Sequence, residues 1–259
     1  MRRWLWAGPS YLPDRSSPVA SVCVDPTYFD VGDDGRLTIV PGSADLRDIL
    51  YFKTDGTFDF KKADYAPWLS RIFVQVQAAG GGAAGARANA NQLTAHPGGT
   101  GGGYAERLID VSALGATETI VVGAGGTAGT PTVDGGNGGN SSFGGLVTAN
   151  GGFGGQVVMA SGATPACFSG VAGPLAGIGD MAQGGGASGG SIRLSGGEGQ
   201  SGPGGESRLG HGGWQRASSG GGGAGRGYGG GAGGALARDG DSVNGTEGSG
   251  GIVIVWLFA

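Results

Sequence analysis

Residues 220–234 read GGGGAGRGYGGGAGG, fifteen residues of which only four carry a side chain. Glycine inside a regular helix or strand costs about 1 kcal/mol relative to alanine, because the unfolded chain loses so much backbone freedom. A run like this is therefore a phosphate-cradling loop, an RNA-binding tail, a floppy linker, or an ordered structure built from backbone alone. The choice among these constrains the whole chain, since 64 of its 259 residues are glycine, against a usual share of about 7%.

Two default explanations fail. Collagen needs a strict Gly-X-Y period rich in proline, and here 11 prolines accompany glycines that come in pairs and triples. Disorder goes with few apolar residues and a large net charge, whereas this chain is 38% hydrophobic with a formal charge of −4. That mild acidity also argues against nucleic acid and acidic membranes as partners. Cys23 and Cys167 are too few for a disulfide scaffold and show no metal-binding spacing. In MRRWLWAGPS the apolar run stops at Pro9, short of a signal sequence. The longest apolar run, IVIVWLFA at 252–259, is far shorter than a membrane span. The expectation is a soluble product of a reducing cytosol with no membrane insertion.

Glycine is unevenly distributed: 59 of the 64 lie after residue 70, and all three lysines (Lys53, Lys61, Lys62) lie before it. The domain boundary is placed at residue 50, with a short N-terminal arm (1–50) ahead of a glycine-rich domain (51–259). In the arm, Asp25-Pro26 and Asp34-Gly35 signal turns, and Arg36–Val40 alternates up to Pro41, as in a small hairpin that packs on a partner. Past the boundary, Ile72, Val74 and Val76 share one strand face. GYAERLIDVSALG and TETIVVGAGG are read as a hairpin hinged at Gly115-Ala116, and SSFGGLVTANGG as one more strand. The closing IVIVWLFA is apolar on both faces, so it is expected to be an inner strand paired with Ile72–Gln77, which closes the domain head to tail. The fold class is all-β: a β-sandwich-like glycine-rich domain with packed polyglycine helices. In such a lattice, three-residue helices lie side by side because no Cβ blocks their approach, and backbone N–H···O bonds knit them together.

Several catalytic patterns match as strings only. Gly123-x-Gly125-x-x-Ala128 follows a strand, as in a dinucleotide-binding turn, but the residues after it, TPTVDGGNGGN, cannot form the helix that the chemistry requires. A Walker loop lacks its lysine. Gly186-Ala187-Ser188-Gly189-Gly190 fits the nucleophile elbow, with Glu198 or Glu206 and His211 downstream, yet neither strand nor helix flanks it. His96 and His211 have no second ligand at zinc spacing. DGGNGGN at 134–140 is a single copy of what in calcium-binding proteins is a repeat. Arg226 stands alone in its glycine run, unlike the many arginines of RNA-binding segments. The expectation is no enzyme activity, no cofactor, no metal and no nucleic acid.

The order of blocks says more than any one of them. DGTFDFKKADYAPWLSRIFVQVQAAGGG (55–82), GGTGGGYAERLIDVS (98–112), TETIVVGAGGTAG (117–129), GGNGGNSSFGGLVTANGGFGG (135–155), a polyglycine stretch and GGIVIVW (250–256) follow one another. In this the chain resembles the glycine-rich domain of bacteriophage tail proteins over roughly residues 50–259, and CVDPTYFDVGDDGRLTIVPG is similar to the start of minor tail proteins of actinobacterial phages. The resemblance implies a virion protein of the tail tip or tail fibre, assembled in the host cytoplasm. Residues 1–50 would join other tail proteins, and the lattice would face host-envelope glycan or a surface protein. A purely architectural role at the tail tip is the alternative. Fibre proteins of this kind are commonly homotrimers, and a chain capping a larger trimer is equally open. The receptor-contact candidates are Trp214, Arg216, Tyr228, Phe168, Phe153 and Arg193, chosen as aromatic and guanidinium groups at lattice turns. Packing against the lattice edge is the competing role for each.

Overall fold

The alternation in Arg71–Gln77 and the two-faced apolarity of the C-terminal run place both strands inside one sheet. The computed structural model describes residues 29–31, 37–39 and 46–259. Strands β1 (Phe29–Val31) and β2 (Leu37–Ile39) pair antiparallel, Val31 opposite Leu37, on either side of the Asp34-Gly35 turn signal. The rest of the proposed N-terminal arm up to residue 45, Cys23 included, lies outside the described residues.

Nine strands then build a sandwich: β3 (Leu46–Phe52), β4 (Gly56–Lys61), β5 (Arg71–Gln77), β6 (Tyr104–Asp110), β7 (Thr117–Val122), β8 (Ser141–Phe143), β9 (Val147–Ala149), β10 (Met181–Gln183) and β11 (Ile252–Phe258). One sheet has the order β10-β6-β5-β11-β3 and the other β9-β8-β7-β4. As expected, β11 pairs with β5 along its whole length, Ile252 opposite Gln77 and Phe258 opposite Arg71. Its second neighbour is β3. That strand spans the boundary placed at residue 50: a strand as apolar as β11 needs cover on both edges, and LRDILYF provides it.

Two local expectations are corrected. The hairpin at Gly115-Ala116 does not form, because β6 pairs with β5 and β10 in one sheet while β7 pairs with β4 and β8 in the other. A single 3₁₀ turn at Val111–Ala113 carries the chain across. Both strands thereby direct one apolar face inward, which a flat hairpin could not do. SSFGGLVTANGG supplies two strands rather than one, with Gly144 at φ +52 in the turn between them.

The core between the sheets holds Ile72, Val74, Val76, Ile109, Ile120, Phe143, Val253, Val255 and Leu257. Phe60 stacks on Tyr65 and meets Phe143 edge-on, with ring centroids 5.1 and 5.4 Å away. On the outer face of the five-stranded sheet, Ile49, Trp256, Phe73 and Leu108 fall in one row across β3, β11, β5 and β6.

Beyond Gln77 the strand becomes a glycine tract, and its hydrogen bonds take a period of three. The Ala78 and Gly81 amides donate to the Gly103 and Thr100 carbonyls, those of Ala79 and Gly82 to Gly139 and Gly136, and those of Gly80 and Ala83 to Ser249 and Thr246. Each step of three along this tract is a step of three back along the neighbour, so these three neighbours run antiparallel to it. The carbonyls of the same tract accept from three others: Ala79 and Gly82 from Gly152 and Gly155, Gly80 and Ala83 from Gly126 and Gly129, and Gly81 from Ala232. Six tracts surround residues 78–85, all of which are buried. A three-residue helix packed hexagonally is the backbone-only structure that satisfies every buried amide. Gly81 shows why glycine is needed: a Cβ there would fall on the Phe153 carbonyl oxygen. No α-helix occurs among the described residues.

Candidate functional site

At one corner of the lattice the chain turns through residues 206–211 and 226–229. Gly210 and His211 pair antiparallel with Gly227 and Arg226, and Gly227 and Gly229 take φ values of +72 and +76 that a side chain would resist. Ser207 Oγ donates to the Tyr228 carbonyl, and the Tyr228 amide donates to Leu209. The corner is thus pinned by backbone on both arms, and its side chains project from a fixed frame.

Trp214 lies one tract further on. Its carbonyl accepts the Gly223 amide at 2.9 Å, which makes its backbone part of the lattice. Its indole lies over Gly223, in the space that a Cβ on that residue would need. The Arg226 guanidinium carbon stands 5.3 Å from the ring centroid, within cation–π range. Trp214 nevertheless remains 51% exposed. His211 Nδ1 and Glu206 Oε2 pair at 3.0 Å, both well exposed. The corner offers a flat apolar surface, a planar fork of donors and an imidazole–carboxylate pair. Those groups suit a polyhydroxylated or peptide-like ligand that has one apolar face and several polar groups at its edge.

The six sequence-chosen residues do not form one site. Trp214 is at this corner, and Tyr228 is on its turn but half-buried. Arg216 is half-buried with its guanidinium against Gly220, and its Nε is buried without a hydrogen-bond partner. Phe153 is exposed on another lattice edge, where its amide donates to Thr100 Oγ1. Phe168 is exposed on a separate three-stranded sheet that also exposes Ile192, with Leu194 exposed just past its middle strand. Arg193 is the clear correction: it is buried, and its guanidinium donates to the carbonyls of Thr164, Leu93 and Ala160. It clips an excursion of the chain to the lattice and presents nothing to solvent. Glu206 and His211, which the GxSxG pattern brings in only as hydrolase parts, pair with each other instead; a carboxylate and an imidazole five residues apart across SRLG are the signal for that in the sequence.

The remaining string motifs have structural roles. Gly123–Gly129 continues β7 into a lattice tract. Ser188 is buried, and its Oγ accepts the Val171 amide. In DGGNGGN, the Oδ1 atoms of Asp134, Asn137 and Asn140 accept the amides of Val157, Gly154 and Gly151 at 2.7, 2.9 and 2.8 Å. Side-chain oxygens at every third position stand in for the carbonyls of a missing neighbour at the lattice edge. No group of three or more His, Cys, Asp or Glu suited to a metal ion occurs among the described residues. His96 is buried inside the lattice, where Nδ1 accepts from the Val158 and Met159 amides. Burial pushes its pKa down to about 4, and Asp134 opposes that only partly. Tyr104 is held above the usual phenol range by burial and by its bond to Glu106.

A two-sheet sandwich whose strands run on into hexagonally packed glycine tracts defines an all-β glycine-rich domain. A family model described as a glycine-rich domain matches residues 54–257, and the chain belongs to that family. No curated protein matches the sequence.

Proposed function

We propose that the chain is a structural protein of a bacteriophage tail tip or tail fibre that presents its glycine lattice to the host surface for recognition and adsorption. The observation that carries the reading is the corner at Trp214: a half-exposed indole, Arg226 and the His211–Glu206 pair are set on backbone that hydrogen bonds already fix. Ligand binding there costs little ordering entropy, which is what a recognition surface requires. The order of sequence blocks shared with phage tail proteins supports the virion setting. In this reading the segment ahead of the sandwich joins other tail proteins, and host-envelope glycan or an exposed protein meets the corner. Recognition of this kind needs no catalytic group, cofactor or metal.

The architectural alternative draws support from Arg193, whose guanidinium binds three carbonyls, and from Arg216, whose guanidinium packs on Gly220. Two measurements separate the readings. Antibody labelling of intact particles locates the chain, and the purified full chain is tested as a competitor of phage adsorption to host cells. Labelling at the distal tip with competition supports recognition. Internal labelling without competition supports the architectural role, and absence from particles contradicts both.

A further inference from the structure

Between Glu206 and Asp239 the chain carries four arginines (Arg208, Arg216, Arg226 and Arg238) and no carboxylate, although its formal charge is −4 overall. The fold lays this stretch out as two antiparallel tracts, with His211 opposite Arg226, Trp214 opposite Gly223, and the Arg216 guanidinium on Gly220. Trp214 is thus flanked by Arg226 on one side and Arg216 on the other, over a length of about 15 Å for a three-residue helix. The neighbouring carboxylates are mostly engaged. Glu206 pairs with His211, Glu106 accepts the Tyr104 hydroxyl beneath Arg208, and Asp239 and Asp241 offset Arg238 at the far end. Glu247 lies on the tract that bonds Gly222 through Thr246, and among the described residues it forms no ion pair with either arginine. Arg216 gives one N–H to the Ser219 carbonyl. Arg226 is exposed, lies over the indole, and its guanidinium donates to no acceptor among the described residues. A cation held over an indole with its donors unspent, in a locally basic stretch of an acidic chain, attracts an anionic partner.

We propose that this edge binds an acidic polysaccharide, with Arg226 taking its carboxylate or phosphate group and Trp214 taking the apolar face of a sugar ring. The inference rests on the corner being a recognition surface and adds the chemistry of what it recognises. A guanidinium receives either anion through two parallel N–H···O bonds, and the indole supplies a flat apolar surface beside it. Arg216 adds positive potential further along the same edge. The His211–Glu206 pair completes the match: sugar hydroxyls both donate and accept, so they can bond the carboxylate and the imidazole in turn. The same Glu206 repels a nucleic-acid backbone, which brings a phosphate at every nucleotide and few hydroxyl donors. Spaced anions on a hydroxyl-rich chain satisfy all of these side chains.

The test titrates the purified full chain with polygalacturonate, phosphomannan, dextran and single-stranded DNA by calorimetry. Binding of polygalacturonate or phosphomannan is expected, and which of them binds tells a carboxylate ligand from a phosphate one. That binding should weaken with added salt, and neither dextran nor DNA should match it. Arg226→Gln should reduce the affinity at least tenfold and Arg226→Lys by less, since an ammonium keeps the charge without the fork. Lys61→Gln removes one positive charge from the exposed end of β4 farthest from the lattice and should leave binding unchanged. Equal binding of dextran or DNA, no binding of either acidic polymer, or equal losses from Arg226→Gln and Lys61→Gln would overturn the proposal. Failure of both acidic polymers while the chain still competes with phage adsorption removes this ligand class and keeps the recognition reading. Binding without such competition keeps the ligand class and removes the adsorption reading.

Discussion

Trp214 lies on Gly223 in the space that a Cβ would otherwise fill, so the absence of one side chain sets the position of another. With Arg226 at 5.3 Å from the ring, the lattice acts as a rigid mount for a half-exposed indole. This links the glycine content to the proposed function: backbone-only packing removes flexibility from the frame and leaves a few side chains at its corners.

Substitution of Trp214 by alanine removes a half-solvated side chain whose buried face lies on Gly223, so the melting temperature should move by no more than the equivalent of about 1 kcal/mol. Competition against phage adsorption should fall at least tenfold, about 1.4 kcal/mol. Equal losses of stability and competition would instead mean that Trp214 supports the lattice.

Glycines of the lattice and of its loops should respond oppositely to alanine. Gly81→Ala forces a Cβ onto the Phe153 carbonyl, and since backbone cannot yield cheaply the cost should be about 3 kcal/mol or more. That corresponds to roughly 10 °C in a thermal melt. Gly197 has open space around its Cβ position, so Gly197→Ala should be neutral or stabilise by up to about 1 kcal/mol.

His96 gives the fold a specific pH dependence. Its folded pKa of about 4 lies below the ordinary 6.5, so the unfolded chain takes up the proton first as pH falls. Its contribution is therefore complete above pH 6.5 and is lost progressively down to pH 4, for a total of about 3 kcal/mol. Denaturant unfolding at pH 7 and pH 4.5 should show this decline, and His96→Asn should reduce it.

Arg193→Met should cost about 3 kcal/mol, because the Ala160 and Thr164 carbonyls lose the guanidinium as donor and the Leu93 carbonyl keeps only the Gly162 amide. Arg193→Lys should fall between that variant and the unsubstituted chain, since an ammonium cannot reproduce the fork. A change within about 0.5 kcal/mol for both variants would return Arg193 to the surface.

The pairing of β5 with β11 was legible because Ile72, Val74 and Val76 alternate and IVIVWLF needs cover on both edges. The crossover between β6 and β7 was not, because alternation tells which residues face inward but not which sheet they join. Gly115-Ala116 allowed either outcome. Glycine tracts cannot name their partners from sequence, since Gly80, Gly81 and Gly82 each face a different neighbour with identical chemistry. Their edges can: Asp134, Asn137 and Asn140 repeat every third residue because each replaces a neighbour's carbonyl. Arg193 was misplaced because the local alternation is inverted, with Ile192 exposed and Arg193 buried, and only the distant carbonyls that hold the guanidinium explain it.

The lattice itself is tested most directly by amide hydrogen exchange across residues 78–85 and 229–235. Hexagonal packing in which the buried Gly80, Gly81 and Gly82 amides each donate to a different neighbour predicts that these three exchange as slowly as Val74 and Val255 in the sandwich core, through global unfolding alone. Exchange at the rate of an unstructured glycine linker would contradict the account.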